Sequence, residues 1–248
     1  MPKTVVIIQA RMTSTRLPGK VMLPIAGRPM LLRVLDRACS IANADAVCVA
    51  VPEGSAHDPV AALAREKENV VVVRGPEQDV LKRYALAARA LGAETVVRVT
   101  SDCPLLDPAV SAAMISAYHS AGATLARTAL ASGFPHGFDT EVVAANLLCE
   151  ADREAKEADE REHVTAFFWK RPERYPAIFL DRLPDRHMWR LTVDTPADLE
   201  LIDAIYRKLG PADPLFGLAA IERLFSEDAR LLALANQPQP GLRQMTAQ

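Results

Sequence analysis

Apolar, β-branched runs alternate with stretches of helical spacing through the first half of the chain. Residues 5–8, 46–51, 70–73 and 95–99 are apolar almost throughout and predict strands. Between and after them, 30–41, 57–67, 79–91 and 108–120 repeat apolar residues at helical intervals. Pro29 and Pro59 suit first helical turns, and Asp79 and Asp107 are placed to cap the helices that follow them. The second half is less regular. Residues 123–128 predict a strand, 132–138 a Gly- and Pro-containing loop, and about 147–169 a charged helical stretch. Strand-like runs return at 177–180 and 188–193. Helices are expected at 196–208 and from about 215 to the end, with the final ten or so residues frayed.

Strand and helix in repeated alternation imply right-handed βαβ crossovers, hence a three-layer α/β/α fold around a mainly parallel sheet. The chain, 1–248, reads as a single domain, with about 130–190 forming a small inserted lobe or dimer arm. Ligands of such sheets lie beyond the carboxyl ends of the strands. The loops to read for chemistry therefore follow Ile8, Val51, Val73 and Val99.

Composition narrows the class. A net charge of −2 over 248 residues provides no bulk basic field for nucleic acid. No apolar run approaches the ~20 residues of a membrane helix, and the chain enters its first strand at Thr4 without a secretory leader, so a cytoplasmic protein is expected. The four cysteines (Cys39, Cys48, Cys103, Cys149) form no C-x-x-C pair and are expected to be reduced and mostly buried. His57, His119 and His187 are too scattered for a zinc site and read as incidental.

The first loop, from Gln9 and Ala10 to Lys20, gathers Arg11, Arg16 and Lys20 with Thr13, Ser14, Thr15 and Gly19. Several cations converging beside a permissive backbone suit a polyphosphate. The run is not a Walker A loop, and it lacks the G-x-G-x-x-G of dinucleotide binders, which disfavours an NAD enzyme. After the fourth strand comes Ser101-Asp102-Cys103-Pro104. Asp102 reads either as a magnesium ligand or as a turn residue, and spacing alone leaves both open. Cys103 reads as a structural thiol. At 194–198, Thr195 and Asp198 account for the start of a helix and leave Asp194 spare. Two spare aspartates at two strand ends form one candidate metal site.

Together, IIQARMTSTRLPGKV, RVTSDCPLLDP and RLTVDTPADLELI resemble the cytidylyltransferases that activate acidic sugars, of the spore coat polysaccharide biosynthesis protein F type. More distant relatives are the 3-deoxy-manno-octulosonate and acylneuraminate cytidylyltransferases. Arg74-Gly75 with Asp79, Gly137 to Val142, and Arg161 to Thr165 also match, in order, between about residues 4 and 205. The resemblance implies a nucleotide-diphospho-sugar transferase-like fold and transfer of CMP from CTP to a sugar acid with release of pyrophosphate, for polysaccharide or glycan synthesis. It implies Mg2+ at Asp102 and Asp194 and a triphosphate held by Arg11, Arg16 and Lys20. Gln9, Ala10, Ser14, Gly19, Arg74, Asp79 and Ser101 would complete the nucleotide site. It also implies a homodimer through the 130–190 lobe, with CTP and a small anionic acceptor as the partners, and neither nucleic acid nor membrane.

His136, Asp139, Glu141, Arg161, Glu162 and His163 are the acceptor candidates, against a plain salt-bridged surface as the competing reading. The chain departs from the family pattern at Ser101, where relatives often carry Gly, and at Pro135-His136-Gly137, where they carry Pro-Asp-Gly; the second change bears on the acceptor. Val51 to Ser55 provides no independent reading for cytosine. The alternatives are a phosphonate or phosphoglycerate-like acceptor, or a non-catalytic nucleotide-binding module.

Overall fold

The computed structural model describes residues 3–128 and 132–237. A seven-stranded sheet forms its middle layer, in the order β5-β4-β1-β6-β8-β7-β9. The strands are β1 (Thr4–Gln9), β4 (Ala46–Pro52), β5 (Val70–Gly75), β6 (Thr95–Thr100), β7 (Leu125–Arg127), β8 (Glu141–Ala144) and β9 (Ala177–Phe179). Only β8 runs against its neighbours; the pairs β1·β4, β1·β6, β4·β5 and β7·β9 are parallel. β2 (Pro24–Ile25) and β3 (Arg28–Pro29) form a separate two-stranded ribbon.

Side chains of the central strands alternate between two cores. Val6 and Ile8 join Val47, Val49, Val97 and Val99 on one face, while Val5 and Ile7 join Cys48, Ala50 and Val96 on the other. The first face is covered by α1 (Met30–Ala38), α2 (Asp58–Arg65), α4 (Pro108–Ala121), α8 (Pro196–Leu209), α9 (Leu218–Glu227) and α10 (Ala229–Ala235). The second is covered by α3 (Val80–Leu91), α5 (Ala145–Glu154) and α7 (Ala166–Trp169). This is the expected three-layer arrangement. Each fully buried Val or Ile contributes on the order of 1.5–3 kcal/mol.

The helix starts follow the side chains. Asp79 accepts from the Lys82 N–H at 2.9 Å, and Asp107 from Ala109 at 2.9 Å. Thr195 and Asp198 form a reciprocal capping box at the head of α8. Two expectations change. The charged stretch 147–169 is three short helices, α5, α6 (Ala158–His163) and α7; Val164, at φ +58°, separates the last two. Residues 188–193 form no strand; a single bridge pairs Arg190 with His136. The segment 130–190 adds β8 and β9 to the main sheet. The expected frayed end lies mostly outside the described residues. Of the cysteines, Cys48 and Cys103 are buried, Cys149 is half-buried and Cys39 is exposed. No described helix is long and apolar enough to cross a membrane.

On the first face, a buried cation ties α1 and α8 to the loop after β6. Arg37 of α1 donates to the Tyr206 hydroxyl at 2.7 Å and to the carbonyls of Leu106 and Phe216 at 3.2 and 3.0 Å. The Tyr206 hydroxyl donates to Pro104 O at 2.6 Å. The loop that carries Asp102 is thereby anchored from below.

Candidate active site

The backbone of Met12 knots the loop after β1. Its carbonyl accepts from the N–H groups of Ser14 and Gly19, both at 3.0 Å. Gly19 holds φ +66°, a conformation glycine adopts without a Cβ penalty. Those two N–H groups are therefore spent inside the loop. The Met12 N–H donates to His57 Nδ1 at 3.2 Å. An accepting Nδ1 leaves the ring proton on Nε2, which lies 3.4 Å from Glu77 Oε2. Glu77 also accepts from the Thr13 hydroxyl, and that bond, ahead of His57, holds its carboxyl below the usual range. His57 is buried and braces the loop, so it is not incidental; its isolation in the sequence hid it.

Lys20 stands where the loop after β6 meets the segment that leads into α8. Its Nζ lies 2.8 Å from Asp194 Oδ1 and 3.3 Å from Asp102 Oδ2, and donates to Val193 O at 2.8 Å. Arg16 reaches Asp194 Oδ1 at 3.0 Å, and the buried Arg190 binds its other oxygen. Burial opposes charge on Lys20, yet the two aspartates raise its pKa. Desolvation would raise the pKa of Asp102, but Lys20, the Thr100 hydroxyl and His136 bring it down to about 2. Arg190 was missed in the sequence; its only signal is its place four residues before Asp194.

The turn 136–139 stands beside this network. His136 Nδ1 lies 3.2 Å from Asp139 Oδ2, which also accepts from the Gly137 N–H at 2.8 Å. Burial lowers the imidazole pKa, and Asp139 more than offsets it. Desolvation raises and His136 lowers the Asp139 pKa, with a net fall. His136 exchanges backbone bonds with Trp189 and Leu191, and Val193 donates to Asp102 O at 2.9 Å. Glu141 pairs with Arg98 of β6, whose guanidinium also reaches Gln9 Oε1 at 3.5 Å.

Other candidates fall elsewhere. Arg161 binds Asp79 and Asp152, apart from His136 and Asp139. Together with Arg11, Thr13, Thr15, Glu77 and Glu162, Asp79 and Arg161 line an open cleft of about 650 Å3. Arg11 makes no hydrogen bond or ion pair with a described residue. His163 is exposed on α6. Arg74 is occupied by the carbonyls of Pro52 and Gly54, at 3.1 and 3.2 Å, so it braces the loop after β4. Ala10 is buried, and Ser101, also buried, donates its N–H to Gln9 O at 3.3 Å. Desolvation raises the Cys103 thiol well above its ordinary value, which fits a structural role.

The donor set bears on a metal. Asp102 and Asp194 offer hard oxygens on either side of a position now held by the Lys20 ammonium. No three His, Cys, Asp or Glu side chains among the described residues are grouped to hold a metal. Two carboxylates, with the other positions left to water and phosphate, is the pattern magnesium accepts.

Known proteins match this chain along most of its length. The cytidylyltransferase family profile covers residues 5–229. The spore coat polysaccharide biosynthesis protein SpsF of Bacillus subtilis is 36% identical over 212 residues, covering 82% of this chain and 86% of that protein. A 3-deoxy-manno-octulosonate cytidylyltransferase of Anaeromyxobacter dehalogenans is 36% identical over 137 residues, 54% of each chain. The structure of a cytidylyltransferase from Leptospira borgpetersenii superposes with a TM-score of 0.88 at 27% identity, covering 97% of this chain and 100% of that one. The chain belongs to the cytidylyltransferase family.

Proposed function

We propose that the protein transfers CMP from CTP to a small acidic acceptor of the sugar-acid type, with release of pyrophosphate and with magnesium as the divalent ion, in the cytoplasm. The observation that carries this reading is the network of Arg16, Lys20 and Arg190 around Asp102 and Asp194 at the carboxyl ends of β1 and β6. A hydroxyl oxygen of the acceptor attacks the α-phosphorus, the α–β bridging bond breaks, pyrophosphate leaves, and the hydroxyl proton passes to solvent.

Arg11, Arg16 and Lys20 hold the triphosphate and offset the charge on the departing pyrophosphate. Gln9, Ala10, Ser14 and Gly19 shape the loop that presents them. Arg74, Asp79 and Ser101 frame the nucleotide. Asp102 and Asp194 would hold the magnesium, which supplies Lewis-acid neutralisation of phosphate oxygens when bound. His136, Asp139 and Glu141 orient the acceptor next to Asp102, while Arg161 faces the cleft lined by Arg11 and Asp79. Positioning and fixed charge supply most of the rate.

The 130–190 segment carries acceptor binding and pairing between two copies. Leu183 and Met188, at 88% and 66% exposure, leave apolar surface in the stretch that follows the edge strand β9. A monomer in light scattering would remove the dimer.

The deciding experiment is magnesium-dependent pyrophosphate release from each nucleoside triphosphate against ulosonic acids, phosphonates and phosphorylated hydroxy acids. Release with CTP and a ulosonic acid supports the reading. Release with a phosphonate alone moves the acceptor class. CTP binding without release marks a binding module, and no CTP binding overturns the nucleotide.

A further inference from the structure

Arg127 ends β7, and it lies in register with Glu141 on one side and Phe179 on the other. The row therefore sits at the carboxyl edge of the parallel strands, two strand spacings, about 10 Å, from the backbone of Arg98. The Arg127 guanidinium lies 5.7 Å from the Trp169 ring centre and 5.6 Å from that of Phe179. It has no hydrogen bond or ion pair with a described residue. Its Nε is buried without a partner. Glu141, the neighbouring carboxylate, is engaged by Arg98.

A half-buried guanidinium against two aromatic rings, with no anion among the described residues, is an incomplete site. Aromatic faces hold the plane of an arginine and leave its donor edge for a planar acceptor. An unpartnered buried donor carries a desolvation cost that an incoming carboxylate removes through charge-assisted hydrogen bonds. Phe179 is 47% exposed, so the row opens to solvent at that end.

We infer that Arg127, flanked by Trp169 and Phe179, is the subsite for the acceptor's carboxylate, an inference that rests on the proposed acidic acceptor. It adds a specificity residue on β7, in register with the acceptor candidate Glu141.

The test compares the full-length protein with Arg127→Met and Arg127→Lys. The probes are 3-deoxy-manno-octulosonate and pyruvate, with chloride at matched ionic strength as control. Thermal midpoint is read against probe concentration, and CTP affinity by calorimetry. Either carboxylate raises the wild-type midpoint, Arg127→Met abolishes the rise, and Arg127→Lys keeps part of it. Where turnover is measurable, the acceptor KM of Arg127→Met rises on the order of 10- to 100-fold, with kcat and CTP affinity changed less than about twofold. Equal midpoint shifts in wild type and Arg127→Met, no shift in wild type, or an unchanged KM overturns the subsite. Pyrophosphate release only with acceptors lacking a carboxylate overturns the acidic-acceptor reading instead, whatever the midpoint shifts show.

Discussion

Asp194 Oδ1 lies 2.8 Å from Lys20 Nζ across 174 positions of chain, and the same ammonium reaches Asp102. One cation thus holds together two carboxylates that would otherwise repel. Replacing Lys20 with Ala removes this clamp together with the triphosphate contact proposed for it. The expected cost is on the order of 10²–10³ in turnover at low CTP, the scale for one preorganised charge-stabilising contact. Steady-state rates against CTP concentration check it, and a near-wild-type rate removes Lys20 from the site.

The His136–Asp139 pair sets a pH window. The raised pKa of His136 contributes stability that is present in full below its unfolded value, about 6.5, and lost as pH rises through the folded value. The lowered pKa of Asp139 contributes stability above about 3.9 that is lost as pH falls. Asp102, down to about 2, adds to the acid side. Urea unfolding at pH 6 and pH 8 should show His136→Gln losing most of its deficit at the higher pH. An equal deficit at both would mean that the imidazole is neutral throughout.

His57→Ala leaves the Met12 N–H without its acceptor inside the protein. The expected loss is about 1–3 kcal/mol, the scale of an unsatisfied buried donor, with a raised KM for CTP because the loop loosens. His57→Asn keeps an accepting oxygen on a shorter side chain and should recover part of both. Identical KM values for wild type and His57→Ala would confine His57 to stability.

Gly137 sits at φ +111°, and a Cβ there would stand 2.5 Å from Leu191 O. Gly137→Ala should therefore destabilise by more than ~2 kcal/mol and disturb the His136–Asp139 turn, combining backbone strain with a backbone clash. Denaturation midpoints and a solved variant structure check it; a variant as stable as wild type would mean that the 188–193 segment yields easily.

Tyr206→Phe removes one donor and one acceptor beneath the loop that carries Asp102. It loses the 2.6 Å bond to Pro104 O and the partner of Arg37 Nε. About 1–3 kcal/mol of stability should go, with CTP affinity unchanged in calorimetry. A matching loss of CTP affinity would mean that the Asp102 loop depends on this anchor.

The three-layer fold was legible because the pattern is local. Strands such as Val5 to Ile8 are apolar on both faces, and caps such as Asp79, Asp107 and Thr195 act within four residues of their own position. The basic loop after β1 and Asp102 after β6 stood out for the same reason, each being a strand end followed by unexplained polar residues, whereas Asp194 follows no strand. The charged stretch 147–169 was misread as continuous because its breaks, the extended Ala155 and the positive-φ Val164, are backbone conformations that no Gly or Pro marks.

By itself, then, the sequence determined the layers, the strand-end loops and the candidate charges in them, since hydrophobic period and capping are short-range properties. Only the tertiary structure decided which charges meet. It joined Lys20 to Asp102 and Asp194, separated Arg161 from His136, turned Arg74 into a brace, and made His57 the prop of a loop 45 residues earlier. Partners across such separations are fixed by sheet order and crossover connections, and no local pattern of residues encodes those distances.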